Sequence, residues 1–158
     1  MTKVTWFTLV HLLLVSSPMV KEPNAVRVFM PNQSRNAPNV FIAMSAQLKA
    51  SERFEIVDDY QEADVFVDLR CLKPTGSTDD YACSMTVNYV LPRFKLTRLL
   101  TEAITSGKNE EIAASLYRSF ERHTTQPRLS AAGNEVQKFV RDYCSDPSHS
   151  DECRAGRP

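Results

Sequence analysis

The stretch Asp64-Val65-Phe66-Val67-Asp68-Leu69-Arg70-Cys71-Leu72 alternates, placing Val65, Val67, Leu69 and Cys71 on one side and Phe66, Asp68 and Arg70 on the other. Residues Tyr81–Leu91 alternate as well, with Cys83, Met85, Val87, Tyr89 and Leu91 on one side and Ser84, Thr86 and Asn88 on the other. A period of two marks a half-buried strand. The run Lys73-Pro74-Thr75-Gly76-Ser77-Thr78-Asp79-Asp80 between them is rich in turn-forming residues. Folding the two strands antiparallel with Cys71 opposite Cys83 pairs Leu69 with Met85, Val67 with Val87 and Val65 with Tyr89. The same register sets Asp68 against Thr86 and Arg70 against Ser84. A slip of one residue would turn the apolar set toward water. The cysteines and the apolar pattern thus select one register independently.

Working outward, Ala25–Met30 is expected to be a strand stopped by Pro31, followed by a polar loop from Asn32 to Asn39. Apolar groups at Val40, Phe41, Met44 and Leu48 then recur at helical spacing and predict a helix over Asn39–Ala50. Phe54–Val57 is expected to be a second strand, and Asp58–Asp64 an acidic turn. After Pro92, the spacing of Leu96, Leu99, Leu100, Ala103 and Ile104 predicts a short amphipathic helix ended by Ser106-Gly107. Ile112, Leu116 and Phe120 predict a helix over Glu110–Thr124, with acidic residues in a first turn that suits the helix dipole. Pro127 breaks it, and Val136, Phe139, Val140 and Tyr143 mark a last helix over Ser130–Cys144. The expected fold is α+β, a two-layer arrangement: a small mixed sheet in the order β-α-β-β-β, helices packed on one face, and a helical carboxyl-terminal third. The other face, carrying the polar side of the hairpin, would meet water.

Val26-Arg27-Val28-Phe29-Met30-Pro31, a polar loop, a helix ending in Leu48, Phe54-Glu55-Ile56-Val57-Asp58 and Ala63-Asp64-Val65-Phe66-Val67-Asp68 together resemble the amino-terminal domain of TolB and the periplasmic CsgG-like domains. The resemblance spans residues 25–91. It implies a small α/β fold in a bacterial envelope protein that assembles with other proteins, and it carries over no functional residues. No propeller repeats follow, and the helical carboxyl third has no counterpart in that layout.

Residues 1–21 have the layout of a signal peptide, with Lys3 as a basic lead, an apolar run from Val4 to Val15, and a break at Ser16-Ser17-Pro18. That run rises about 18 Å as a helix, short of the ~30 Å of hydrocarbon that a span must cross. Cleavage is expected within residues 16–25, leaving a single α/β domain over 22–144 and a polar tail over 145–158. No stable membrane span would remain, and a periplasmic or secreted address follows. No Cys near the break offers a lipid attachment point. The four cysteines fall into two local pairs, read as the disulfides Cys71–Cys83 and Cys144–Cys153, each closing a short loop worth about 2–3 kcal/mol.

Composition removes several function classes. Lys+Arg and Asp+Glu are both 19, so the chain has no charge excess to draw nucleic acid. Gly76, Gly107, Gly133 and Gly156 are far apart, which excludes Gly-rich phosphate cradles, and no G-x-S-x-G or H-E-x-x-H spacing occurs. No cofactor motif is present. Cys144, His149 and Cys153, with Asp146 and Asp151, would hold zinc only as thiolates, and their spacing is not that of a finger; the disulfide is expected instead. The acidic group Asp58, Asp59, Glu62, Asp64 and Asp68 lacks the Gly and closing Glu of a calcium loop and reads as a solvated turn. Arg93, Lys95 and Arg98 around Phe94, and Arg118, Arg122 and Arg128, read as solvated basic faces. His123 reads as a cation at a helix carboxyl end, and Asn32-Gln33-Ser34 is a sequon.

The hairpin's polar side, Phe66, Asp68, Arg70, Ser84, Thr86 and Asn88, is the candidate binding surface, with Arg70 and Phe66 as anchors. The expected role is an exported, non-catalytic module that binds a protein partner in the cell envelope. Two rival roles fit the same residues: a secreted inhibitor or effector acting through the 74–80 loop, and a hydrolase built on carboxylates alone, with Asp68 or Glu55 in a cleft.

Overall fold

A strand needs a partner for its backbone and a covered apolar side, and both demands are met around the hairpin. The computed structural model describes residues 24–31, 37–76 and 80–155; the expected leader at 1–21, the sequon and residues 77–79 of the 74–80 loop lie outside them. Strand β1 (Val26–Phe29) runs into helix α1 (Pro38–Ala50), which returns the chain to β2 (Phe54–Val57), parallel to β1. A 3-10 turn at Tyr60–Glu62 leads into β3 (Val65–Leu72), which lies parallel to β1 on its other side. β4 (Tyr81–Leu91) completes the hairpin in the expected register, from Val65 opposite Tyr89 to Cys71 opposite Cys83.

The chain then departs from expectation. Residues 96–107 form no helix; they are β5 (Leu96–Gly107), antiparallel to β4 and the edge of a five-stranded sheet ordered β2-β1-β3-β4-β5. Lys95, with φ of 53°, makes the tight return after a 3-10 turn at Pro92–Phe94. Without this strand the edge of β4 facing away from β3 would be unpaired along its eleven residues. A register shift against Val87 and Asn88 skips Leu100, so Leu100 and Ala103 both reach the core while Leu99 and Ile104 point to solvent. The sheet remains mixed, and the fold is α+β.

Helices α2 (Asn109–His123) and α3 (Gln126–Cys144) follow. Gly107, at φ of 140°, turns the chain from β5 toward α2 in a conformation that L side chains rarely adopt. Glu110 and Glu111 occupy the first turn of α2, and Arg122 and His123 its last, which complements the helix dipole. Pro127 opens α3 rather than merely ending α2, since a first-turn N–H needs no partner.

The core lies between the sheet and these helices. Val40, Met44 and Leu48 of α1, Ile112, Leu116 and Phe120 of α2, and Val65, Val67, Met85 and Val87 of the hairpin are fully buried. Phe54 meets Phe120 edge-on at 4.9 Å. The disulfide Cys71–Cys83 crosses from β3 to β4 on this inner side, and both cysteines are buried. In the polar tail, a 3-10 turn at Pro147–His149 and α4 (Ser150–Ala155) follow, tied to α3 by Cys144–Cys153. The rings of Tyr143 and His149 stack at 3.8 Å inside that loop.

Candidate functional site on the helix-free sheet face

Because the apolar side of each strand is taken by the helices, alternation sends the remaining side chains to the opposite face. Register then arranges them in rows across β3, β4 and β5. Leu72, Ala82 and Ser106 form one row; Arg70, Ser84 and Ile104 the next; then Asp68, Thr86 and Glu102; then Phe66, Asn88 and Leu99. All six residues expected to form the binding surface are therefore brought together. At ordinary strand spacing the four rows cover roughly 10 by 20 Å.

Arg70 sends both Nε (2.9 Å) and Nη2 (2.8 Å) to the same oxygen, Oδ2, of Asp68. That hydrogen bond, and next the carboxylate's charge, hold the guanidinium above its ordinary proton affinity. The other oxygen, Oδ1, is buried and has no hydrogen-bond partner. The Arg70 side chain itself is 75% exposed, so its outer edge is free to meet a ligand.

Phe66 is less available than an anchor should be. Its ring lies 6.1 Å from Phe29 in a stacked arrangement and 6.2 Å from Tyr60, edge-on. Sequence reasoning missed this aromatic trio; the outward position of Phe29 between Val28 and Met30 was the available signal. It also missed the apolar component of the face, since Leu99 and Ile104 were assigned to a helix. Leu72, Leu99 and Ile104 are 69%, 50% and 77% exposed. The surface thus has hydroxyls and an amide along its central strand, one Arg, and large aliphatic groups along its two flanking strands.

The other expected clusters are engaged locally. Asp59 accepts from the Gln61 N–H at 2.8 Å and caps its own turn. Arg98 pairs with Glu135 at 2.8 Å, and Arg93 stacks over Phe94 at 5.4 Å. His123 Nδ1 lies 2.8 Å from the Ser119 carbonyl at the end of α2. Cys144 is bonded to Cys153, which removes the thiolates of a zinc site. Among the described residues no group of three His, Cys, Asp or Glu side chains is placed to hold a metal ion, and no helix is long and apolar enough to cross a membrane.

Glu55 does sit in a cleft, of about 660 Å³, beside the start of β1, with Asp64 as a second acid. Asp64 is committed, however. Its Oδ2 accepts from the Arg27 backbone N–H at 2.9 Å and from Nε at 3.2 Å, and its Oδ1 from Nη2 at 2.9 Å. The Asp64 N–H in turn donates to the Arg27 carbonyl. Two-carboxylate hydrolysis needs both acids at the reacting bond, and this one is the anchor of a reciprocal Arg–Asp clasp.

No family model matches the chain, and no curated protein matches its sequence. Among solved structures it is similar to the hypothetical protein CT253 from Chlamydia trachomatis over 77% of this chain and 99% of that one, at 12% sequence identity and a TM-score of 0.36.

Proposed function

We propose that the chain is an exported, non-catalytic module that binds a protein partner in the bacterial envelope, through the helix-free face of β3, β4 and β5. One observation carries this reading: Arg70, Ser84, Thr86 and Asn88 share one face with three largely exposed aliphatic side chains, Leu72, Leu99 and Ile104. Scattered exposed aliphatics are ordinary; three on one helix-free sheet face, around an exposed Arg, have the make-up of a contact surface. The leader-like residues 1–21, the two disulfides and the resemblance of residues 25–91 to TolB-type envelope domains support the compartment.

The test is capture from a bacterial envelope extract by the folded, oxidised chain, with photo-crosslinking from position 84. Arg70→Glu and Ile104→Asp should each abolish the crosslinked product; Ile104→Asp should leave the melting temperature unchanged, whereas Arg70→Glu should lower it somewhat because Asp68 loses its partner. A product that survives both changes would refute this surface. A hydrolytic or transferase activity lost on one point substitution would refute the non-catalytic role.

A further inference from the structure

We infer that the cleft between the start of the sheet and α3 is a second binding site, for a neutral oligosaccharide. It lies apart from the β3–β5 face and was not visible in the sequence, because its walls come from five separated segments. One wall is a stripe of α3: Gln126, Ser130, Asn134 and Gln137, at successive helical steps of four, four and three. Opposite stand Asn24, Arg27, Glu55, Asp64 and the phenol of Tyr89. Its volume, about 660 Å³, is that of a small-molecule site.

The lining selects the ligand. Carboxamides and hydroxyls each offer donors and acceptors, as do the hydroxyl groups of a sugar. Among the described residues, Gln126, Ser130, Asn134, Gln137 and Tyr89 make no side-chain hydrogen bond to another protein group, although all five converge on one cavity. The charges leave no basic excess: Arg27 is matched by Asp64 at 2.9 Å, and Glu55 adds a negative charge. Phosphates and carboxylates would therefore be repelled. Apolar lining is confined to Ala25, Val26 and Leu129, too little for a lipid chain. A peptide cannot add to β1 as a further strand, because β2 and β3 flank it on both sides.

Gly133 shapes the floor. A β-carbon there would stand 3.1 Å from the Tyr89 hydroxyl. Glycine is unfavourable inside a helix, and here it lets the phenol lie against α3 with its oxygen at the cavity. The cleft binds without hydrolysing, because Asp64 is held in the clasp with Arg27.

The test uses the full-length folded chain on an array of neutral glycans, followed by NMR titration with cello-, malto- and N-acetylchito-tetraose at millimolar concentration. Inorganic phosphate and tetra-alanine serve as comparison probes. At least one neutral saccharide should shift the amide signals of residues 126–137 saturably. Asn134→Ala with Gln137→Ala, at exposed helical positions, should weaken that binding by about tenfold or more at unchanged melting temperature, while Arg70→Glu should leave it intact. The proposal is overturned if no neutral glycan perturbs these residues, if the double variant binds as well as the parent, or if phosphate or tetra-alanine produces the same shifts.

Discussion

The Tyr89 hydroxyl stands 3.1 Å from where a β-carbon of Gly133 would lie, and its Cζ 3.4 Å, so β4 meets α3 phenol against helix backbone. Two effects oppose each other when Gly133 is replaced by Ala. The helix gains about 1 kcal/mol of intrinsic propensity, and the phenol must yield a few tenths of an ångström. Gly133→Ala should therefore leave stability within about 1 kcal/mol of the parent. In a Tyr89→Phe background the nearest atom is gone, and the same change should stabilise by about 1 kcal/mol. Urea denaturation of the four variants reads the difference, and identical effects of Gly133→Ala in both backgrounds would refute the contact.

The two disulfides close loops of similar length, with sequence separations of 12 and 9, so the chain-entropy contribution is about 2–3 kcal/mol for each. They differ in surroundings. Cys71 and Cys83 lie in the main core, whereas Cys144 and Cys153 hold the short α4 against the end of α3. Replacing Cys71 and Cys83 by Ala adds a cavity term to the lost crosslink; replacing Cys144 and Cys153 by Ala frees α4 with little effect on the rest. Thermal melts of the two double variants should rank them in that order. Intact mass with and without reductant should count both cystines in the parent.

The hairpin was legible because two independent constraints, a cysteine pair and an apolar alternation, required one register, and every expected pair from Val65–Tyr89 to Cys71–Cys83 is present. β5 was hidden by its bulge. Inward residues on either side of Leu100 fall out of step with a period of two, and Leu96, Leu99, Leu100, Ala103 and Ile104 then mimic a helical stripe. The β-branched residues Thr97, Thr101, Ile104 and Thr105 argued for a strand, and β4's unpaired edge decided the matter. The polar half of the candidate surface was readable from β3 and β4 alone. Its aliphatic half waited on β5, and the cleft on tertiary packing that no local pattern encodes.

Leu72 and Ile104 extend into solvent, so their replacement should not disturb folding. Leu72→Lys and Ile104→Lys are each expected to change stability by no more than about 0.5 kcal/mol. The same variants should elute earlier from a hydrophobic-interaction column. Val87→Lys, at a fully buried neighbouring strand position, should prevent folding. A helix over residues 96–107 would give a different hydrogen-exchange signature, since the paired amides of β5 should be protected only as long as the β4–β5 ladder holds.

Asp146 supplies the pH dependence. Its Oδ1 accepts from the Ser148 hydroxyl at 2.7 Å and from the Ser148 N–H at 2.9 Å, and the hydroxyl bond first, then the backbone bond, hold the carboxyl below its ordinary value. A group whose proton affinity falls on folding stabilises the folded form above its unfolded value and loses that contribution as pH drops through the folded one. The turn at Pro147–His149 should therefore be firm at neutral pH and loosen only below about pH 4. Carbon-detected titration of the Asp146 carboxyl should show the depressed midpoint, and Ser148→Ala should move it upward because both the leading hydroxyl donor and the turn geometry it supports are lost. Protection factors of the Ser145, Asp146, Ser148 and His149 amides, taken against intrinsic exchange at each pH, should fall across the same acidic window while the amides of β3 and β4 stay protected. An Asp146 midpoint indifferent to Ser148→Ala would show that the hydroxyl does not hold the carboxylate.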